Sequence, residues 1–195
     1  MHGLINRSLQ CFLRDTYGPQ AWGTISRDAG LGFDSFEAML AYDATLTEDV
    51  IRAAMRHLDR PRETMLEDLG TYLVSHPNVE ALRRLLRFGG VTFVDFLHSL
   101  EDLPGRGRMA VPDLDLPNLT LVGDGDDQFR LSCSNSVNGI GFVMLGLLRA
   151  MADDYGTLVL LEHQGFSNQA EVISIQILEE SFAVGRRFDL AARLS

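Results

Sequence analysis

The stretch FVDFLHSLEDLPGRGRMAVPDLDLPNLTLVGDGDDQFRLSCSNSVN, residues 93–138, decides how the chain folds, because the hydrophobic period changes inside it. Residues 93–103 repeat at helical spacing behind Thr92, a good helix cap. The Pro/Gly/Arg segment that follows predicts the end of that helix at Leu103. Residues 118–123 and 128–133 then alternate or run apolar on either side of Gly123-Asp-Gly-Asp-Asp127, the pattern of a β-hairpin. A further helix is expected to open near Asn138.

Upstream of this stretch every segment reads as helix. Residues 3–17 place Leu4, Ile5, Leu9, Phe12 and Leu13 on one face, and Tyr17-Gly18-Pro19 stops the run. Residues 20–29 form a second helix with Trp22 and Ile25 inward. Thr47 is read as the cap of a third, in which Val50, Ile51, Ala54, Met55 and Leu58 repeat. Pro61 opens a fourth, with Met65, Leu66, Leu69 and Leu73 inward, and His76-Pro77 ends it. Asn78 is read as the cap of a fifth that Gly89-Gly90 closes, and Thr92 begins the sixth. Downstream, residues 138–155 form a strongly apolar helix. Residues 157–163 and 171–178 are two more strands, joined by a turn at 165–168. The order is a helical block followed by β-β-α-β-β. It predicts an α+β fold: an N-terminal helical subdomain, plus helices packed on a four-stranded antiparallel sheet. One domain over residues 1–195 is expected, with the helical subdomain at about 1–60 and the remainder at about 61–195.

Composition narrows the function. A net charge of −10 argues against nucleic acid and against an anionic membrane surface, since both need clustered basic residues. The two cysteines, Cys11 and Cys133, lie far apart and suit free thiols in a reducing cytoplasm. The opening MHGLINRSLQ lacks a charged segment followed by an apolar one, and the run near 140–148 is too short to span a bilayer. A soluble cytoplasmic protein is expected. The acidic hairpin loop resembles a calcium loop only loosely, because Asn135 stands where a bidentate Glu belongs. His57, His76 and His163 show no metal-ligand spacing, and no nucleophile–base pair suggests an enzyme. Glu101-Asp102-Leu103 and Arg106-Gly-Arg108 are placed to pair across the helix end.

Met1-x-Gly3-x-Ile5-Asn6, Tyr17-Gly18 with Trp22, and Met39-Leu-Ala-Tyr42 together resemble the H-NOX (heme-nitric oxide/oxygen binding) domains. So do Leu69-Gly70, Phe96-Leu97, the prolines at 104, 112 and 117, and Leu145-Gly-Leu-Leu148. The resemblance runs through essentially the whole chain in the right order. It implies a heme-sized pocket between the helical subdomain and the larger part. By position, the distal walls are Ile5, Leu9, Leu73, Val74, Val143 and Leu147, and Pro117 presses on the porphyrin. Were heme present, the apolar walls would imply selectivity for nitric oxide over oxygen.

Two positions that carry the family's chemistry depart from its pattern. Where the resemblance implies the axial histidine, this chain has Pro104, which has no imidazole to ligate iron. His98 lies six residues earlier. On a helix that is roughly 120° around and about 9 Å back, so it cannot take over the position. The family's Tyr-x-Ser-x-Arg, which hydrogen-bonds the heme propionates, becomes Ser134, Ser136 and Asn138. Losing the arginine removes the bidentate clamp on a carboxylate. Ser136 and Asn138 retain the chemistry to cap the following helix or to meet an anion at its positive end. The favoured reading is a sensory domain that regulates a partner without His-ligated heme and takes, if anything, another apolar ligand. A heme-binding nitric oxide sensor with an unusual axial ligand, or with none from the protein, is the alternative. By resemblance, the partner would be a histidine kinase or a cyclic-dinucleotide enzyme in a bacterium.

Overall fold

The computed structural model describes residues 1–134 and 138–186. Its elements are α1 (Gly3–Tyr17), α2 (Pro19–Asp28), α3 (Ala44–Leu58), α4 (Arg62–Ser75), α5 (Glu80–Arg87), α6 (Phe93–Ser99) and α7 (Leu103–Ala110). Then come β1 (Asn118–Gly123), β2 (Gln128–Ser134), α8 (Ile140–Tyr155), β3 (Leu158–Ser167) and β4 (Ala170–Glu179). The strands form one antiparallel sheet in the order β1-β2-β4-β3, because α8 intervenes between β2 and the β3–β4 hairpin. Helices on one side of an antiparallel sheet are the α+β architecture expected above.

Alternation along the strands sends one set of side chains inward. Leu119, Phe129, Leu131, Cys133, Ile173, Ile175 and Ile177 pack against Met144, Leu147, Leu148 and Met151 of α8 and Phe93, Phe96 and Leu97 of α6. The opposite face carries Thr120, Arg130, Ser132, Ser174 and Gln176 together with the exposed Val122, Leu160 and Leu178, so it is mixed in character. A second core joins the N-terminal helices through Leu9, Phe12, Leu13, Trp22, Ile25, Phe36, Val50 and Ile51. Helix α4 serves both. Its Met65, Leu66 and Tyr72 belong to the N-terminal core and its Val74 to the sheet core.

The two cores are held together where α4 crosses α8. A Cβ on Gly70 would fall 1.9 Å from the Val143 carbonyl oxygen, and one on Gly146 would fall 1.9 Å from that of Glu67. The helices therefore touch backbone to backbone, an approach that only glycine permits. Leu69-Gly70 and Leu145-Gly-Leu-Leu148, two of the motifs read above, are thus the two sides of one contact. Two others also meet: Gly3 N donates to Leu40 O at 2.7 Å and Tyr42 N to Met1 O at 2.9 Å.

Four local expectations are corrected. Asp43, not Thr47, caps α3, accepting from Thr45 N at 2.9 Å. Thr47 is buried inside α3 and donates to Asn6 Oδ1 on α1 at 2.6 Å. Asn78 does not cap α5; a short 3-10 turn (Pro77–Val79) precedes that helix, and the His76 ring accepts from Asn78 N. Residues 103–110 are helical rather than a loop, since Pro104 sits in the first turn of α7, where no N–H is needed. Glu101 and Arg106 do not pair: Glu101 accepts from Leu121 N at 2.9 Å, and Arg106 donates to Ser99 O at 3.1 Å.

Gly70→Ala should destabilise the protein by about 3 kcal/mol, because a methyl group driven into a carbonyl cannot be relieved by a rotamer change. Gly23→Ala in α2, where a Cβ meets nothing within 4 Å, should instead add about 0.5–1 kcal/mol. Urea unfolding of the two variants beside the parent chain checks both signs.

Candidate functional site

Helix α8 opens beside the first turn of α4, and this corner contains the positions that the resemblance implies for an anionic group. Ser134 is half-buried at the end of β2, paired in register with Asn118. Ser136 lies outside the described residues. Asn138 is exposed, and its carbonyl oxygen accepts from Arg62 at 2.8 Å. The first residue before the helix is Gly139, which has no side chain to cap with.

The cap comes from β4 instead. Glu171 accepts from Gly139 N at 2.8 Å through one oxygen and from Gly141 N at 3.2 Å through the other. His163 Nε2 lies 2.9 Å from that second oxygen. The other ring nitrogen, Nδ1, accepts from Gly165 N at 3.2 Å, so the proton sits on Nε2 and is donated to Glu171. Glu171 is 2% exposed, and the His163 ring stacks on Phe142 with centroids 4.1 Å apart. Gly141 makes room for the pair, since a Cβ there would be 2.7 Å from both the Glu171 oxygen and His163 Nε2.

A cation also reaches this corner. Arg62, the first residue of α4, forks onto Glu48 of α3 with both bonds at 2.8 Å, and one of those nitrogens also bonds the Asn138 carbonyl. The Arg62 hydrogen bond holds the Glu48 carboxyl below its usual range against the opposing effect of burial. Cys133, opposite Glu171 in the β2–β4 register, is 1% exposed. Burial, and then the charge of Glu171, push its thiol up to about 12, so it stays protonated at neutral pH.

Pro104 is buried in the first turn of α7, and Pro117 is buried just before β1. His98 is exposed on α6, edge-on to Phe129 with ring centroids 5.9 Å apart. Five of the six wall residues divide between the two cores. Leu9 lies in the N-terminal one with Leu73 and Val143 packed against it, while Val74 and Leu147 lie in the sheet core. Ile5 is half-buried on α1. The Gly70–Gly146 crossing places the Val143 and Leu147 backbone directly against α4. Two surface depressions, of about 350 and 480 Å³, lie around α3 near Arg52, Arg56 and Arg60, and none of the six residues lines them. The acidic 123–127 loop is a hairpin turn closed by Asp124 N to Gln128 O at 2.8 Å, with Asp124 paired to Arg130. No metal-binding cluster of His, Cys, Asp or Glu occurs among the described residues, nor a helix long and apolar enough to cross a membrane.

The arrangement has counterparts of known structure. An H-NOX protein from S. oneidensis superposes with a TM-score of 0.78 at 15% identity, over 92% of this chain and 97% of that one. The Fe(II) unliganded H-NOX protein from K. algicida gives 0.77 at 13% identity, over 92% and 97%. The fold is the H-NOX fold. The family model described as Haem-NO-binding matches residues 2–163, and the chain belongs to that family of sensor domains, which are not themselves catalytic. Among curated relatives, soluble guanylate cyclase 89Db of Drosophila melanogaster is 22% identical over 84% of this chain. Soluble guanylate cyclase gcy-31 of Caenorhabditis elegans is 22% identical over 83%. The chain spans about a quarter of the length of these relatives, 25% and 23%.

Residue-by-residue reading of the sequence missed Glu171, Arg62 and the role of His163. Their partners lie 8 to 76 positions away, and no local spacing marks them.

Glu48 at this corner and Asp15, which is bonded near the other end of α4, together set an acid sensitivity. Asp15 of α1 is raised by burial, but hydrogen bonds from Asn78, Tyr72 and Arg14 outweigh this and hold it low. Asp15 and Glu48 thus both have depressed folded-state values. Their stabilisation is complete above the ordinary carboxylate range and is lost as pH falls through and below about 4. Chemical unfolding at pH 7 and pH 3 should show the parent losing stability at the lower pH. Asp15→Asn/Glu48→Gln should be weaker at pH 7 and lose less between the two.

Proposed function

We propose that this domain is a signalling module of the Haem-NO-binding family that works without a histidine-ligated heme, its output carried by contact with a partner protein. The observation that carries the reading is Pro104. It stands at the position that the family likeness gives to the axial ligand, is buried there, and has only a tertiary amide nitrogen. His98 is exposed on a different helix, and the Cys133 thiol is held protonated, so neither offers iron a ready replacement. The residues described around the cofactor position do not fit a His-anchored, propionate-clamped heme.

The six apolar side chains at the wall positions support the same view, since they are accounted for as packing within or against the two cores, Ile5 aside. A ligand seated among Ile5, Leu9, Leu73, Val74, Val143 and Leu147 would be apolar and held by contact alone. For the partner, the curated relatives are named as guanylate cyclases. A signalling enzyme, whether a histidine kinase, a cyclic-dinucleotide enzyme or a cyclase, fits that association.

The test is an absorption spectrum of the protein expressed with added heme precursor, recorded with and without nitric oxide. The expected outcome is a folded protein with no Soret band. A stoichiometric Soret band that shifts on exposure to the gas would overturn the reading in favour of a heme sensor with an unusual axial ligand.

A further inference from the structure

At the head of α8, beside the positions that the family likeness gives to the propionate contacts, backbone donors and a helix dipole converge to favour negative charge. In this chain that charge is supplied from within. Glu171 is buried, receives Gly139 N, Gly141 N and His163 Nε2, and lies in a space that a side chain on residue 141 would close. His163 is held in the donating tautomer by Gly165 and against Phe142 by stacking, so its proton is directed at the carboxylate. At the same corner the terminal nitrogens of Arg62 are already forked onto Glu48, while its buried Nε has no partner.

We propose that Glu171, positioned by His163, is this chain's internal substitute for a ligand carboxylate at the head of α8, and that it makes the domain reject carboxylate-bearing porphyrins. The inference rests on the heme-independent reading above and deepens it: the site is closed to anionic ligands as well as lacking an iron ligand. A porphyrin entering with its propionates toward α8 would bring a second carboxylate against a buried one, and the two disfavour each other strongly in a site screened from water. The helix amides that would otherwise stabilise the newcomer are already bonded. An uncharged apolar ligand meets neither obstacle.

The test supplies the missing iron ligand and then varies the charge. Pro104→His and Pro104→His/Glu171→Gln are titrated with hemin and with hemin dimethyl ester, whose carboxylates are masked, and binding is read from the Soret band. Pro104→His should prefer the ester at least tenfold, and adding Glu171→Gln should abolish the preference by strengthening hemin binding. An unchanged preference, or none in Pro104→His alone, overturns the proposal. Should neither porphyrin bind, the anion position is probed directly by thermal unfolding of Glu171→Ala in acetate against chloride of equal ionic strength. Recovery of several degrees of Tm in acetate, absent in the parent chain, supports the substitution; no recovery overturns it. Failure of the parent reading is seen separately, as a stoichiometric Soret band in the unaltered chain.

Discussion

The rest of the structure depends on the direct contact between the α4 and α8 backbones at Gly70 and Gly146. Helices usually meet through interleaved side chains with axes 8–10 Å apart. Here two positions have no side chain, so each helix presses its chain against a carbonyl of the other. That closeness sets the position of what flanks it. It brings the first turn of α4, with Arg62, alongside the head of α8, with Gly139. It also turns Val74 and Leu147 toward the sheet core while Leu73 and Val143 pack on the N-terminal one. A larger residue at either glycine would push apart two cores that share a helix.

At the corner that this contact creates, Glu171 and the two terminal nitrogens of Arg62 are matched within the protein. Glu171 has three donors, and the Arg62 fork has a carboxylate and a carbonyl. Such matching is what a buried polar group needs, since an unpaired one costs about 1–3 kcal/mol. In a protein completed by a cofactor, part of it comes from the ligand. Here the described residues supply all of it except a partner for the buried Arg62 Nε.

What the sequence made legible follows the range of the interactions involved. Strands β1, β2 and β4 and helix α1 were readable because alternation and helical spacing are local, and β1 falls at residues 118–123 as expected. Strand β3, by contrast, runs on to Ser167, through the turn expected at 165–168, with an irregular register after His163. Helix starts were harder where two good caps compete. Asp43 and Thr47 lie four residues apart, and the choice went to Asp43 because Thr47 is needed to bond Asn6 on α1. Helix α7 was hidden because Pro, Gly and Arg read as loop, although proline is well suited to a first turn. The family motifs were readable as a pattern but not as contacts. Only the fold shows that Gly70 faces α8 near Gly146, or that Gly3 meets Leu40. At the candidate site the departure at Pro104 was plain from the sequence. Glu171 was not, because nothing around it announces a bond to an amide 30 residues earlier.

Helix α4 has a further consequence for cooperativity. Because it supplies Met65, Leu66 and Tyr72 to one core and Val74 to the other, neither core can melt without dissolving a wall of its neighbour. The two halves are thus coupled through one shared helix despite their different architectures. The only tryptophan, Trp22, is buried among the N-terminal helices with its indole N–H on Asp34 O. Its fluorescence therefore reports on the sheet as well, at a distance, through a helix that belongs to both.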